Sequence, residues 1–169
     1  MTPAELNILV DPVIRKSANY DFALCMLNEN QDPVVSVTNL PYSEYASIEA
    51  PKNFPPKLGA LFEILDALSE GFSPANPKTA VCSFTWCTRE DYTRKGLFQK
   101  ILEESIKKAK EEGYKEIMAD CMNQASQGVA RKLGFYPVSK VYYKTFMTQD
   151  GKYPFAGLPE NECTARMYR

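Results

Sequence analysis

The chain has 169 residues, 44% of them hydrophobic, and its 20 basic residues nearly balance its 21 acidic ones, which gives a formal net charge of -1. This length predicts a single globular domain, residues 1–169, and the charge balance argues against nucleic acid or an anionic membrane as a partner. No apolar run approaches the roughly 20 residues that cross a bilayer, and the N-terminus has no signal-peptide layout, so a cytoplasmic protein is expected.

Two helices and a hairpin are predicted in the N-terminal half. Residues 2–5, Thr-Pro-Ala-Glu, have the pattern of a helix start, and Pro12 is expected to kink or divide the helix that follows. Strand-like runs at residues 21–27 and 34–40 flank a polar loop, which indicates a hairpin. Apolar residues at helical spacing, from Pro56 to a C-terminal cap at Gly71, predict a second helix that packs one face on a sheet.

The C-terminal half is predicted to alternate strands and helices. Residues 79–88 are rich in β-branched and aromatic side chains, which is typical of a central strand. An amphipathic run that begins at Leu97 and stops near Gly113 predicts a long helix with a charged outer face. The remaining predicted elements are a strand at 117–121, a helix at 123–133, a strand at 138–146 and a final strand at 164–168.

The turn between the central strand and the long helix is the best candidate for a binding site. It reads Thr93-Arg94-Lys95-Gly96-Leu97-Phe98, so two cations and a glycine precede a helix N-terminus. Unpaired amides and partial positive charge at such a terminus suit a diphosphate, and a glycine lets the backbone approach closely. Neither GxxxxGK[ST] nor GxGxxG is present. The alternative is an ordinary exposed turn.

The downstream residues Asn123, Ser126 and Lys132-Leu133-Gly134-Phe135 follow that turn in the order found in a known superfamily. With them the chain resembles the GCN5-related N-acetyltransferases (GNAT), and is most similar to the arylalkylamine N-acyltransferase branch. The resemblance implies an α/β (mixed α+β) fold, with a central mixed and mostly antiparallel sheet splayed into a V and flanked by helices on both faces. It also implies acetyl-CoA as acyl donor and a small amine as acceptor.

The resemblance assigns residues to acetyl-CoA in three groups. The backbone of Trp86, Cys87 and Thr88 would pair with the pantetheine amides, the segment Arg94, Lys95, Gly96, Leu97 and Phe98 would enclose the pyrophosphate, and Asn123 and Ser126 would lie near pantetheine. Phe98 stands where a small residue is usual, so its side chain is alternatively expected to turn into the core. For Asn123 the alternative role is the helix cap, with Ser126 an incidental polar residue.

Catalytic residues are harder to assign from the resemblance. Ala130 occupies the position where family members commonly have a tyrosine donor, and the chain starts at about the first helix, so the usual first strand and its catalytic glutamate are expected to be missing. Ser126, Tyr142 and Tyr143 are the candidate proton relay, with one of the two tyrosines expected in the core. Glu44, or a water held by strand carbonyls, is the candidate base, although Glu44 is expected to face solvent.

Histidine is absent, which excludes His-dependent triads and HExxH metal sites. The five cysteines form no CxxC pair, and four or five buried thiols in a reducing compartment are expected rather than disulfides or a zinc site. Cys87 and Cys121 have no evident activating partner, so neither is expected to form a covalent intermediate.

Two functions are compatible with the sequence. The first is acyl-CoA-dependent N-acyl transfer, with acetyl transfer from acetyl-CoA to a small primary amine, arylalkylamine-like, by direct attack in a ternary complex. The second is a catalytically impaired CoA-binding or interaction module of the same fold. A sheet edge without its first strand would be open to a partner chain and would allow a homodimer. Aromatic residues that could line the acceptor pocket are Phe54, Phe62, Phe84, Trp86, Tyr142 and Phe155.

Overall fold

A computed structural model describes residues 3–48, 56–70 and 72–169, so the predicted cap at Gly71 and the aromatic candidate Phe54 lie outside the described residues. The elements follow in chain order: α1 (Pro3–Ser17), β1 (Leu24–Leu27), β2 (Pro33–Pro41), α2 (Tyr42–Ala46), α3 (Pro56–Ser69), β3 (Ala80–Thr88), α4 (Leu97–Glu111), β4 (Glu116–Cys121), α5 (Gln124–Lys132), β5 (Tyr136–Tyr142) and β6 (Cys163–Tyr168).

The strands of the described residues form a six-stranded sheet in the order β1-β2-β3-β4-β6-β5. The pairs β1–β2, β2–β3 and β5–β6 are antiparallel. Helix α4 packs on β1, β2 and β3, and α3 packs on β5. This arrangement confirms the predicted mixed and mostly antiparallel sheet with flanking helices, while its splaying into a V stays a prediction.

The chain divides into two compact units. The first contains residues 1–8, 50–73 and 119–169, and the second contains residues 9–49 and 74–118. In the second unit, α4 buries Ile101, Leu102, Ile106 and Ala109, because these apolar residues share one face of the helix. Its charged residues occupy the opposite, solvated face.

The core of the first unit joins α3 to the chain that follows β5. Ile64 and Leu68 of α3 are fully buried against Tyr143, and Phe155 packs on the same cluster. A buried ion pair links the neighbouring strands β4 and β6, where Arg166 donates two hydrogen bonds of 2.8 Å to the carboxylate of Asp120. Only 3% of the Arg166 side chain and 12% of the Asp120 side chain are exposed.

Local differences from the predicted elements have simple causes. Pro12 removes one amide donor but does not divide α1, which is helical from Pro3 to Ser17, so a division is wrong and a kink stays a prediction. The predicted strand over 138–146 instead covers Tyr136–Tyr142, and the chain then turns through a short 3₁₀ segment, Tyr143–Thr145. Helix α2 has only five residues and no buried ones, so it carries no periodic signal.

The cysteine prediction was correct only in part. All five thiols are free, and Cys82, Cys121 and Cys163 are buried, but Cys25 and Cys87 are exposed. Both exposed cysteines lie in cross-strand register with Ser36, which places them on the same face of the sheet. Within the described ranges, every helix is too short or too polar to cross a bilayer.

Candidate active site

The predicted diphosphate-binding turn lies in the second unit, between β3 and α4. Gly96 is the N-cap of α4 and has φ 71°, and no side chain caps this helix. The first-turn amides of α4 therefore lack a partner within the helix. Residues 93–96 are exposed, and a Cβ built on Gly96 would meet nothing within 4 Å. The backbone of this turn is exposed, and its contact with a diphosphate stays a prediction.

The cations of this turn are organised around Tyr92. The Arg89 guanidinium lies 4.7 Å from the centre of the Tyr92 ring, and the Lys95 ammonium lies 4.6 Å from it. Arg89 also donates hydrogen bonds of 2.8 and 2.9 Å to Asp91, which lowers the pKa of that carboxyl. Arg94 adopts φ 60°, a left-handed conformation that is unusual for a residue with a side chain.

Strand β3 supplies the residues predicted to pair with pantetheine. Trp86, Cys87 and Thr88 pair with Val37, Ser36 and Val35 of β2, respectively. The pairing shifts beside Phe84, so β3 carries a bulge there. The Trp86 indole donates to the Ser83 hydroxyl at 2.7 Å, and its ring centre lies 5.1 Å from that of Phe98.

The half-buried side chain of Phe98 thus turns towards Trp86 rather than towards the open side of the turn. Because it is only half-buried, Phe98 does not reach the core position that the sequence offered as an alternative. Any contact of Phe98 with a diphosphate would come from its backbone.

Asn123 and Ser126 lie in the first unit, at the start of α5. The Asn123 side chain accepts a hydrogen bond of 2.9 Å from the Ser126 amide, and the Ser126 hydroxyl donates to the Asn123 carbonyl at 2.9 Å. The two residues form a capping box. The structure gives them the alternative role predicted for Asn123, and their contact with acetyl-CoA stays a prediction.

The two candidate tyrosines have different environments. Tyr142 ends β5 and is 47% exposed, whereas Tyr143 is 7% exposed and donates a hydrogen bond of 2.7 Å to the Met122 carbonyl. Burial raises the pKa of Tyr143 to about 12. The prediction that one of the pair lies in the core is confirmed, and Tyr143 is that residue.

Tyr143 also lines a cavity of about 970 Å³ that lies wholly within the first unit. Part of its wall is apolar, from Leu61, Met122, Tyr143, Pro154, Phe155 and Leu158. Its charged lining residues are Glu63, Asp150, Lys152 and Glu162. A space of this size and composition fits a small molecule with an apolar body and a cationic group.

The sequence anticipated little of this cavity. Of the aromatic candidates within the described residues, only Phe155 lines it, while Phe62, Phe84, Trp86 and Tyr142 do not. Most of its wall comes from the loop of residues 148–162, where the sequence predicted neither a helix nor a strand. The one pattern in the sequence that indicated packing of this loop against the rest of the protein is the presence of apolar residues within so long a loop.

A family model described as the acetyltransferase (GNAT) family matches residues 68–135, which include β3, the exposed turn, α4 and α5. This match covers 68 of the 169 residues and supports placement of the chain in the GNAT superfamily. The same match supports an N-acetyltransferase activity that uses acetyl-CoA.

Solved structures share the fold of this chain. The C-terminal condensation domain of Ebony, in complex with beta-alanyl-dopamine, superposes with a TM-score of 0.83 at 15% identity, covering 100% of this chain and 81% of that one. Arylalkylamine N-acetyltransferase 2 from Aedes aegypti gives 0.76 at 16% identity, over 95% and 78%. Drosophila melanogaster polyamine N-acetyltransferase gives 0.70 at 13%, over 94% and 78%. At these identities the likeness shows the fold alone.

The remaining candidate residues are poorly placed for chemistry. Glu44 accepts a hydrogen bond of 3.2 Å from the Lys16 ammonium and is half exposed. Burial raises the pKa of Cys121 to about 12, which disfavours a thiolate nucleophile. Ala130, at the usual tyrosine position, is fully buried. In the part of the chain that the structure describes, no group of three or more Cys, Asp or Glu is arranged to hold a metal ion.

Proposed function

We propose that this GNAT chain acetylates a small primary amine of the arylalkylamine type by direct attack in a ternary complex. The observation that carries this proposal is the cavity of the first unit. Its volume of about 970 Å³ lies at the upper end of the range for small-molecule sites. Phe155 and Leu158 provide apolar surface for a ring, and the carboxylates provide charge for an ammonium group.

The donor is proposed to bind at the turn before α4. The exposed backbone around Gly96, the uncapped helix terminus and the side chains of Arg94 and Lys95 all favour a diphosphate. Acetyl-CoA supplies the thioester, from which the amine nitrogen takes the acetyl group as a C–N bond forms and the C–S bond breaks.

Two proton transfers accompany this exchange. An alkylamine with a pKa near 10 is only about 0.1% neutral at pH 7, so the site must accept a proton from the amine and return one to the leaving thiolate. Among the three candidates, Tyr143 lines the cavity, whereas Ser126 and Tyr142 do not. The Tyr143 hydroxyl is protonated at neutral pH, but its raised pKa of about 12 makes it a weaker acid than a free tyrosine, so its position on the cavity wall is what supports it as proton donor.

The proposal is tested with the purified chain, acetyl-CoA and a panel of phenethylamine, tryptamine, agmatine and ammonia. N-acetylated products and free CoA are measured by chromatography, because the exposed Cys25 and Cys87 would react with a thiol reagent. We expect the two arylalkylamines to be acetylated more efficiently than ammonia or agmatine. Binding of acetyl-CoA without turnover of any amine would contradict the proposal and support the CoA-binding module instead.

A further inference from the structure

The cavity of the first unit has three carboxylates on its wall, and two of them already hold the loop in place. Glu63 of α3 accepts a hydrogen bond of 2.7 Å from the backbone amide of Gln149. Asp150 accepts 2.6 Å hydrogen bonds from the Lys152 ammonium and the Thr148 hydroxyl, and its pKa is lowered to about 2. The charge of Asp150 is paired with the Lys152 ammonium, and a Glu63 oxygen is held by the Gln149 amide.

Glu162, the third carboxylate, has no such contact. Its backbone is fixed at both ends, because its amide donates to the Pro159 carbonyl at 3.1 Å and its carbonyl accepts from the Tyr143 amide at 3.2 Å. Its carboxylate makes no hydrogen bond or ion pair with any residue in the ranges that the structure describes. The side chain is half buried on the cavity wall, immediately before β6.

The surroundings of the unpaired Glu162 carboxylate favour a cationic ligand. Lys152 is the single cation among the lining residues, and it is bound to Asp150, so the wall keeps excess negative charge. Glu162 and Tyr143 line the same cavity, and burial and, to a smaller extent, the charge of Glu162 raise the pKa of Tyr143. A half-buried carboxylate is stabilised by a charge-assisted hydrogen bond from a cation, and the cavity gives a cationic ligand access to it.

We propose that Glu162 receives the ammonium group of the acceptor and is the residue that selects cationic primary amines over neutral nucleophiles of the same shape. This inference rests on the proposed function and adds the charge that the acceptor must carry. The apolar body of the acceptor contacts the surface of Phe155 and Leu158. Because the contact is made to the substrate before reaction, its loss raises KM for the amine more than it lowers kcat.

The test compares two acceptors that differ in charge and not in shape. Phenethylamine is a cation at pH 8, and O-benzylhydroxylamine, with oxygen in place of one methylene, is neutral at that pH. In Glu162→Gln we expect KM for phenethylamine to rise about tenfold to a hundredfold, as for loss of a charged hydrogen bond. KM for O-benzylhydroxylamine and for acetyl-CoA should change by less than about threefold.

Glu160→Gln is the matched control. Glu160 lies two residues away in the same loop, is 83% exposed and pairs with Lys144 at 2.9 Å, so its loss should leave every KM unchanged. Glu162→Asp keeps the charge and should retain the preference for phenethylamine. If the glutamine variant does not fold, the aspartate variant therefore still tests the contact between the carboxylate and the ammonium group.

Equal losses for both acceptors in Glu162→Gln, or no loss for either, would overturn the inference and leave the proposed function standing. Loss of the cation preference in Glu162→Asp would overturn it as well. If the wild-type chain acetylates no amine at all, the proposed function fails before any variant is made, and the assignment of Glu162 fails with it.

Discussion

At the scale of single residues, the turn before α4 depends on two backbone conformations. Arg94 and Gly96 both have positive φ, at 60° and 71°. A left-handed conformation costs a residue with a Cβ about 1–2 kcal/mol, so glycine is favoured at position 96 and Arg94 is strained. The glycine was visible in the sequence, but the conformation of Arg94 was not, because arginine has no intrinsic preference for it.

Gly96→Ala should therefore weaken the use of acetyl-CoA. Space is available for the added methyl group, but the φ of 71° is unfavourable for alanine, so the turn should shift away from its present backbone. We expect KM for acetyl-CoA to rise about fivefold, equivalent to about 1 kcal/mol, measured by initial rates.

The control for this change is Gly113→Ala, near the other end of α4. Gly113 has φ 92° and equally open surroundings, so alanine should lower the free energy of unfolding by a similar amount without changing KM for acetyl-CoA. A similar KM effect in both variants would assign the loss to stability and remove Gly96 from the binding site.

At the scale of elements, the two helix N-termini predicted near acetyl-CoA are not equivalent. Helix α4 has no side-chain cap, whereas at α5 the Asn123 side chain accepts from the Ser126 amide and the Ser126 hydroxyl accepts from the Asn123 amide. An anion gains more from unsatisfied amides than from satisfied ones, so α4 is the better anion-binding terminus. If Ser126 has a role in catalysis, its hydroxyl must supply it.

Ser126→Ala isolates that hydroxyl. The main cap contact, from the Ser126 amide to the Asn123 side chain, involves the backbone and is kept in the variant. The free energy of unfolding should fall by less than about 1 kcal/mol, while kcat should fall by at least about tenfold if the hydroxyl relays a proton. An unchanged kcat would remove Ser126 from the mechanism.

Gln124→Ala, an exposed change in the same first turn of α5, is the control and should leave kcat unchanged. Both variants are compared by urea denaturation and by steady-state kinetics at saturating acetyl-CoA. A parallel loss in the two variants would indicate that disturbance of α5 itself, and not loss of the Ser126 hydroxyl, slows the reaction.

Local patterns predicted most elements correctly, and the errors are instructive. The amphipathic run from Leu97 gave the correct helix, because its period alone defines a buried face. Beyond β5 the same approach was wrong, since apolar residues after Tyr142 continue the pattern of a strand while the chain turns. The turn buries Tyr143 against Ile64 and Leu68, which lie far away in sequence.

At the scale of the whole molecule, stability should decrease at alkaline pH. Burial raises the pKa of Cys121 from 9.0 to about 12 and that of Tyr143 from 10.0 to about 12. The folded chain then holds these protons more tightly than the unfolded chain. Their contribution is complete below pH 9 and is lost as the pH rises towards 12, because the unfolded chain releases its protons first.

We therefore expect the urea midpoint, measured under reducing conditions, to fall steadily between pH 8.5 and 11. Each proton held contributes up to about 1.4 kcal/mol per pH unit. Cys121→Ala should flatten the part of the decline that starts near pH 9. Cys87→Ala, which removes an exposed thiol, should leave the slope as in the wild type. A midpoint independent of pH over this range would contradict the buried state of both groups.

The amino-acid sequence by itself determined the order of strands and helices, the exposed basic turn before α4 and the resemblance to the GNAT superfamily. These depend on periodicity, capping and turn residues, which act over a few neighbouring positions. Only the tertiary structure decided the cavity, the inward position of Tyr143 and the unpaired carboxylate of Glu162. Each depends on contacts such as that between Glu63 and Gln149, which join segments distant in sequence and leave no local pattern.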